Sequence, residues 1–155
     1  MKSQFALKML GAERVHADFD ALLASADHIQ LTPFGELLDE CEELKHGVVD
    51  PNLAHVFSIV AAFAERPAFA IADLPSYEAL KEAVVELGLF DGRRPIWWVD
   101  YMLTLEIRSL KKLDKILHCE HHFPKLRPYI EATRRAKQRL EDKRIADYGP
   151  PKLVI

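Results

Sequence analysis

The sequence predicts an all-α fold, a single-domain helical bundle of about five to six helices around a buried central helix at about residues 95–118. Three observations lead there. Apolar residues recur at helical spacing through most of the chain, several segments open on a capping residue followed by proline, and the connections are short. The stretch from Arg94-Pro95 to His118 is the longest without a breaker, and its opening Ile96-Trp97-Trp98-Val99 is apolar on every side. A helix of that kind belongs inside a bundle.

Taken in order, Phe5, Met9 and Leu10 predict a short helix that stops at Gly11. Val15, Phe19, Leu22, Leu23, Ala26 and Ile29 line one side of a second. Thr32-Pro33 reads as cap plus first helical position of a third, which buries Phe34, Leu37, Leu38, Cys41 and Leu44 and closes at Gly47. Asp50-Pro51 repeats that start for a helix carrying Val56, Phe57, Ile59, Val60 and Phe63, stopped by Pro67. Residues 67–74 are apolar but bounded by prolines, and no element is assigned to them. Asp73-Leu74-Pro75 opens a helix with Tyr77, Leu80, Val84 and Leu87 on one face and Gly88 at its end. On the central helix, Ile96, Val99, Met102, Leu103, Ile107, Leu110, Leu113 and Leu117 form the core stripe. A last helix runs from about Pro128 to Asp147. The bundle domain is therefore expected over residues 1–148, with 149–155 as an extended, proline-rich tail.

A chain of 155 residues with 49% hydrophobic residues can bury roughly 70% of its unfolded surface, enough for a core without metal or disulfide staples. Its two cysteines, Cys41 and Cys119, make no secreted-type framework, so a cytoplasmic location is expected. The most apolar window, residues 53–72, is broken by His55, Glu65, Arg66 and Pro67, which argues against a membrane span and for a soluble protein. Nor do the first residues hold the apolar run of a secretory signal.

Candidate chemistry is sparse. His118, Cys119, His121 and His122 are the densest ligand cluster and could hold zinc or another transition metal, although histidines at a helix end also satisfy its last carbonyls. No other cofactor is implied. Glu13/His16 and Glu43/His46 have the Glu-x-x-His spacing of di-metal bundles but fall on polar helix faces. Glu106 projects into the central apolar stripe, and His55 is the buried polar candidate to pair with it. A winged helix-turn-helix over residues 73–98 is rejected, because Glu78, Glu82 and Glu86 on its recognition helix would repel phosphates. No nucleophile, base and orienting group fall together, and no Gly-rich phosphate loop occurs, so the sequence leans away from an enzyme.

Charge is unevenly spread. Residues 1–50 carry four basic and ten acidic side chains, whereas residues 123–155 carry nine basic and four acidic. The expected function is a non-catalytic protein–protein interaction module: an adaptor, chaperone, regulatory subunit or inhibitor. Arg134, Arg135, Lys137, Arg139, Lys143 and Arg144 would meet an acidic partner protein, with Leu153, Val154 and Ile155 as an apolar anchor. The opposed ends also permit self-association. Two alternatives are a metal-binding or redox protein using the His118–His122 cluster, and a nucleic-acid-binding protein using the last helix.

Overall fold

The computed structural model describes residues 2–38, 44–101, 103–118 and 127–148. It corrects the expected fold class. Seven strands form one mixed sheet, and the protein is α/β, not an all-α helical bundle. In chain order the described elements are α1 (Lys2–Met9), β1 (Arg14–Val15), α2 (Phe19–Ser25), β2 (His28–Leu38) and β3 (Leu44–Val48). After a 3-10 turn at Pro51–Leu53 come β4 (Ala54–Ala62), β5 (Phe69–Leu74), α3 (Tyr77–Glu86), β6 (Ile96–Val99), β7 (Thr104–Ile107), α4 (Leu110–His118) and α5 (Arg127–Tyr148).

Six strands run in the order β1-β5-β4-β2-β6-β7, the seventh, β3, pairs with β2 off this path, and every pairing is antiparallel except β2 with β6. The expected central helix is the largest correction: its residues supply the β6–β7 hairpin and then α4. Burial along Ile96–Val99 alternates, with Ile96 and Trp98 buried and Trp97 and Val99 half-buried. That is the two-residue period of a strand. The segment expected as the fourth helix is β4, buried continuously from Phe57 to Ala62. A short apolar run buried on both faces has no period to read, and its Val and Ile content suits a strand.

Strand β2 is the pivot. Residues 28–35 pair with β4 along one edge, while β6 pairs with residues 29–31 and β3 with residues 34–38 along the other. This explains how Pro33 sits inside a central strand. Its carbonyl accepts from Val49 N at 3.1 Å, so its nitrogen faces the same edge, at the junction where β6 pairing has stopped and β3 pairing begins. A missing N–H is tolerated at such an interruption. Thr32-Pro33 is thus part of β2, and Gly47 pairs with Gly35 in the hairpin instead of closing a helix.

Cross-strand rows build the core. Ala72, Ile59, Leu31, Trp98 and Leu105 are neighbours across five strands, and Phe69, Ala61, Ile29, Ile96 and Ile107 form the next row. Both rows join one hydrophobic cluster with Leu7 of α1, Phe19 of α2, Leu80 and Val84 of α3, and Leu113 of α4. Each fully buried side chain of this size contributes roughly 1.5–3 kcal/mol. Helices α1 to α4 therefore cover one sheet face. Helix α5 lies against β2 and β3, where its Ala136 is buried outside that cluster.

Three helices follow their sequence signals. Helix α3 begins just past the expected Asp73-Leu74-Pro75 opening, whose first two residues end β5: Ser76 caps it by accepting from Ala79 N at 3.1 Å, and Gly88 follows it, as expected, at φ 60°. Gly11, at φ 85°, follows α1, and α5 spans the expected last helix.

Candidate functional site

Of the six cations expected to bind a partner, all stand on α5, and the fold divides them by what they touch. Lys137 reaches the body of the protein, its Nζ lying 3.0 Å from His55 Nε2 and 3.6 Å from Glu36 Oε2. Arg144 is tied within the helix to Glu141, with Nη2–Oε1 at 2.5 Å and Nε–Oε2 at 3.2 Å. The hydrogen bond from Arg144 holds the Glu141 carboxyl below its ordinary range, and the same contact raises the guanidinium of Arg144. Arg134, Arg135, Arg139 and Lys143 are exposed, and none is paired with a carboxylate among the described residues.

Helix α5 is 22 residues long, which is about 33 Å of rod at 1.5 Å per residue. Only its first half docks. From Gln138 to Asp147 every residue is exposed except Arg144, which is half-buried. Leu140, 55% exposed, and Ile145 are among them. Local pairs support this projecting half, Glu141 with Arg144 and Gln138 with Asp142. A helix polar nearly all round is held by local pairs of this kind or by bridging between bodies. The anchor residues Leu153, Val154 and Ile155 lie outside the described residues.

The remaining candidates do not assemble as expected. Glu106 is on β7, opposite Trp97, half-buried and 3.6 Å from Arg108. His55 is exposed on β4 beside Lys137. The pair inferred from a helical stripe is therefore corrected: two strands carry the residues, and each has its own partner. His16 accepts from Asp18 N through Nδ1 at 3.0 Å, a turn-stabilising role. His118 ends α4, while Cys119, His121 and His122 lie outside the described residues, as do Cys41 and Glu43. Among the described residues no three His, Cys, Asp or Glu side chains are placed to hold a metal ion. None of the described helices is long and apolar enough to cross a membrane.

Two surfaces escaped the sequence. Phe5 and Met9 of α1 and Val85 of α3, each more than half exposed, line a groove of about 600 Å3 with Ala6, Leu10 and Leu110. Its signal was the Val84-Val85 pair, which cannot both face one core from a helix. The second surface is a cavity of about 360 Å3 where Arg93, Arg94 and Arg108 meet. No family model, curated protein or solved structure matches this chain.

Proposed function

We propose that this is a cytoplasmic, non-catalytic interaction protein, an adaptor or regulatory subunit, that holds an acidic partner protein with the solvent face of α5, from Arg134 through its projecting second half. The observation that carries the proposal is the exposure of residues 138–147 on a helix whose first half is docked. Short helical segments without tertiary contacts are marginal in water, so a solvated extension of this length is best accounted for by a partner that covers it. Arg134, Arg135, Arg139 and Lys143 would supply the charge recognition, and Leu140 the apolar contact. Lys137 instead joins the helix to β2 and β4.

Capture from lysate of the native host, quantified by mass spectrometry, tests this with wild type, the double variant Arg135→Glu/Arg139→Glu and Leu140→Ala. A stoichiometric acidic partner retained by wild type and lost at least tenfold from the double variant is expected, with unchanged thermal midpoints. Equal recovery by both folded proteins, or no stoichiometric partner at all, defeats the proposal. A ribonuclease- and nuclease-sensitive capture would instead assign α5 to nucleic acid.

A further inference from the structure

We propose that the cavity between the turn preceding β6 and the β7–α4 junction binds a small phosphate monoester with an apolar or aromatic body. It encloses about 360 Å3, in the lower part of the roughly 300–1,000 Å3 range of small-molecule sites. Its lining separates by chemistry. Arg93, Arg94 and Arg108 are the cations, Glu106 is a carboxylate beside them, and half-buried Phe90 is the apolar edge, with Ile96 and Ile107 beneath it in the core.

The backbone holds these cations in place. Gly92, at φ 81°, takes the left-handed conformation that a side chain would disfavour, and Arg93 N donates to Asp91 Oδ1 at 2.9 Å. Pro95 then stiffens the approach to β6. On the other side, Ile107 pairs with Ile96, so sheet register sets Arg108 beside the turn that carries Arg93 and Arg94. Two separate stretches of sequence thus bring three arginines to one rim.

Their resident partners hold them loosely. Arg93 is 3.4 Å from Asp91 and Arg108 is 3.6 Å from Glu106. Both distances exceed the roughly 2.7–2.9 Å of a strong charge-assisted bond. Arg94 pairs with no carboxylate among the described residues. Three guanidinium groups against two carboxylates leave a positive excess in a concave site. A carboxylate ligand would satisfy one guanidinium fork, whereas a phosphate dianion offers three oxygens that can engage all three. Phe90, half-buried against the core, leaves an apolar edge at the site, so an ester that carries an apolar or aromatic group gains a contact that free phosphate does not. The site is distinct from α5 and does not depend on the proposed partner.

Calorimetric titration of the full chain with AMP, inorganic phosphate, adenosine and a short single-stranded oligonucleotide tests the proposal. AMP should bind more tightly than phosphate or adenosine. Arg94→Ala and Arg108→Ala should each weaken AMP by roughly tenfold to a hundredfold, the scale of a lost charged hydrogen bond. Glu106→Gln should tighten it, because the competing carboxylate is gone, and Lys143→Ala on α5 should leave it unchanged. Arg108 and Arg93 are 86% and 78% exposed, so Arg93→Ala provides a second variant expected to keep its thermal midpoint. No heat with AMP up to about 10 mM, well past the millimolar end of weak binding, overturns the site. So does AMP binding that ignores both arginine variants. Phosphate binding as tightly as AMP overturns the apolar body, and an oligonucleotide binding more tightly than AMP overturns the small-ligand class.

Discussion

Replacing Gly35 by alanine separates a β2 strand from the helix that the sequence suggests, because the two give opposite signs. In a helix interior, Gly→Ala stabilises by roughly 0.5–1 kcal/mol through lost unfolded-state entropy. In the folded protein Gly35 pairs with Gly47 of β3 on one edge and Ala54 of β4 on the other, next to a shift in register. A Cβ there would collide with the carbonyl oxygen of Leu53 and lie 3.2 Å from both the Leu53 carbonyl carbon and Val49 Cγ2. The obstruction is backbone, held by the 3-10 turn and by pairing on both sides of β2, so it cannot rotate away. Overpacking of this kind costs roughly 1–3 kcal/mol or more, which outweighs the entropic gain. At roughly 2–4 °C per kcal/mol for a chain of this size, the thermal midpoint should fall by about 3–10 °C. Urea unfolding followed by circular dichroism gives the same quantity as a lowered midpoint at constant slope. Gly47→Ala is the control, since a Cβ there meets nothing within 4 Å and its effect should stay within about 0.5 kcal/mol. A Gly35→Ala protein as stable as wild type, or more so, would refute the placement of this residue in β2.

Two further expectations concern the core and the alkaline limit. Trp98 is fully buried and its Nε1 donates to Asp100 Oδ2 at 2.7 Å, so Trp98→Phe should cost about 2–4 kcal/mol in urea unfolding. Trp97→Phe, on the half-buried side of the same strand, should cost under about 1 kcal/mol; equal losses would contradict the alternation of β6. Burial, and then its hydrogen bond to Asp114 at 2.9 Å, push the Tyr77 phenol far above the ordinary tyrosine value. The unfolded phenol ionises near pH 10 while the folded one stays neutral, so stability is intact below about pH 10 and declines above it. Tyr77→Phe should flatten that decline in urea midpoints taken from about pH 9 to 11, and an unchanged slope would discount Tyr77.

What could be read from the sequence follows from which signals are local. Helices α1, α3 and α5 were legible through Gly11 after α1, Gly88 after α3 and the charged run of α5, although the start of α3 was placed at Asp73-Leu74-Pro75, where β5 ends, and not at its cap Ser76. The cations of α5 were legible for the same reason, since charge density needs no fold to be seen. The strands were not. Val56–Ala62 is apolar at nearly every position because neighbouring strands and both sheet faces cover it, and such a run has neither a period of two nor of 3.6 to count. Thr32-Pro33 imitates a helix start, and only an interruption between β3 and β6 on the far edge of β2 makes room for a proline there.

By itself, then, the sequence determined the glycine stops after α1 and α3, the interruption of its most apolar window, and the basic character of the last helix. These rest on composition and on contacts a few residues apart. Tertiary structure alone decided the sheet, because strand pairing is a contact between distant segments and leaves little trace in either one. It also decided which cations are engaged. Lys137 and Arg135 are close in sequence, yet Lys137 meets Glu36 and His55 while Arg135 faces solvent. Arg94 and Arg108 share one rim only because Ile96 and Ile107 are in register.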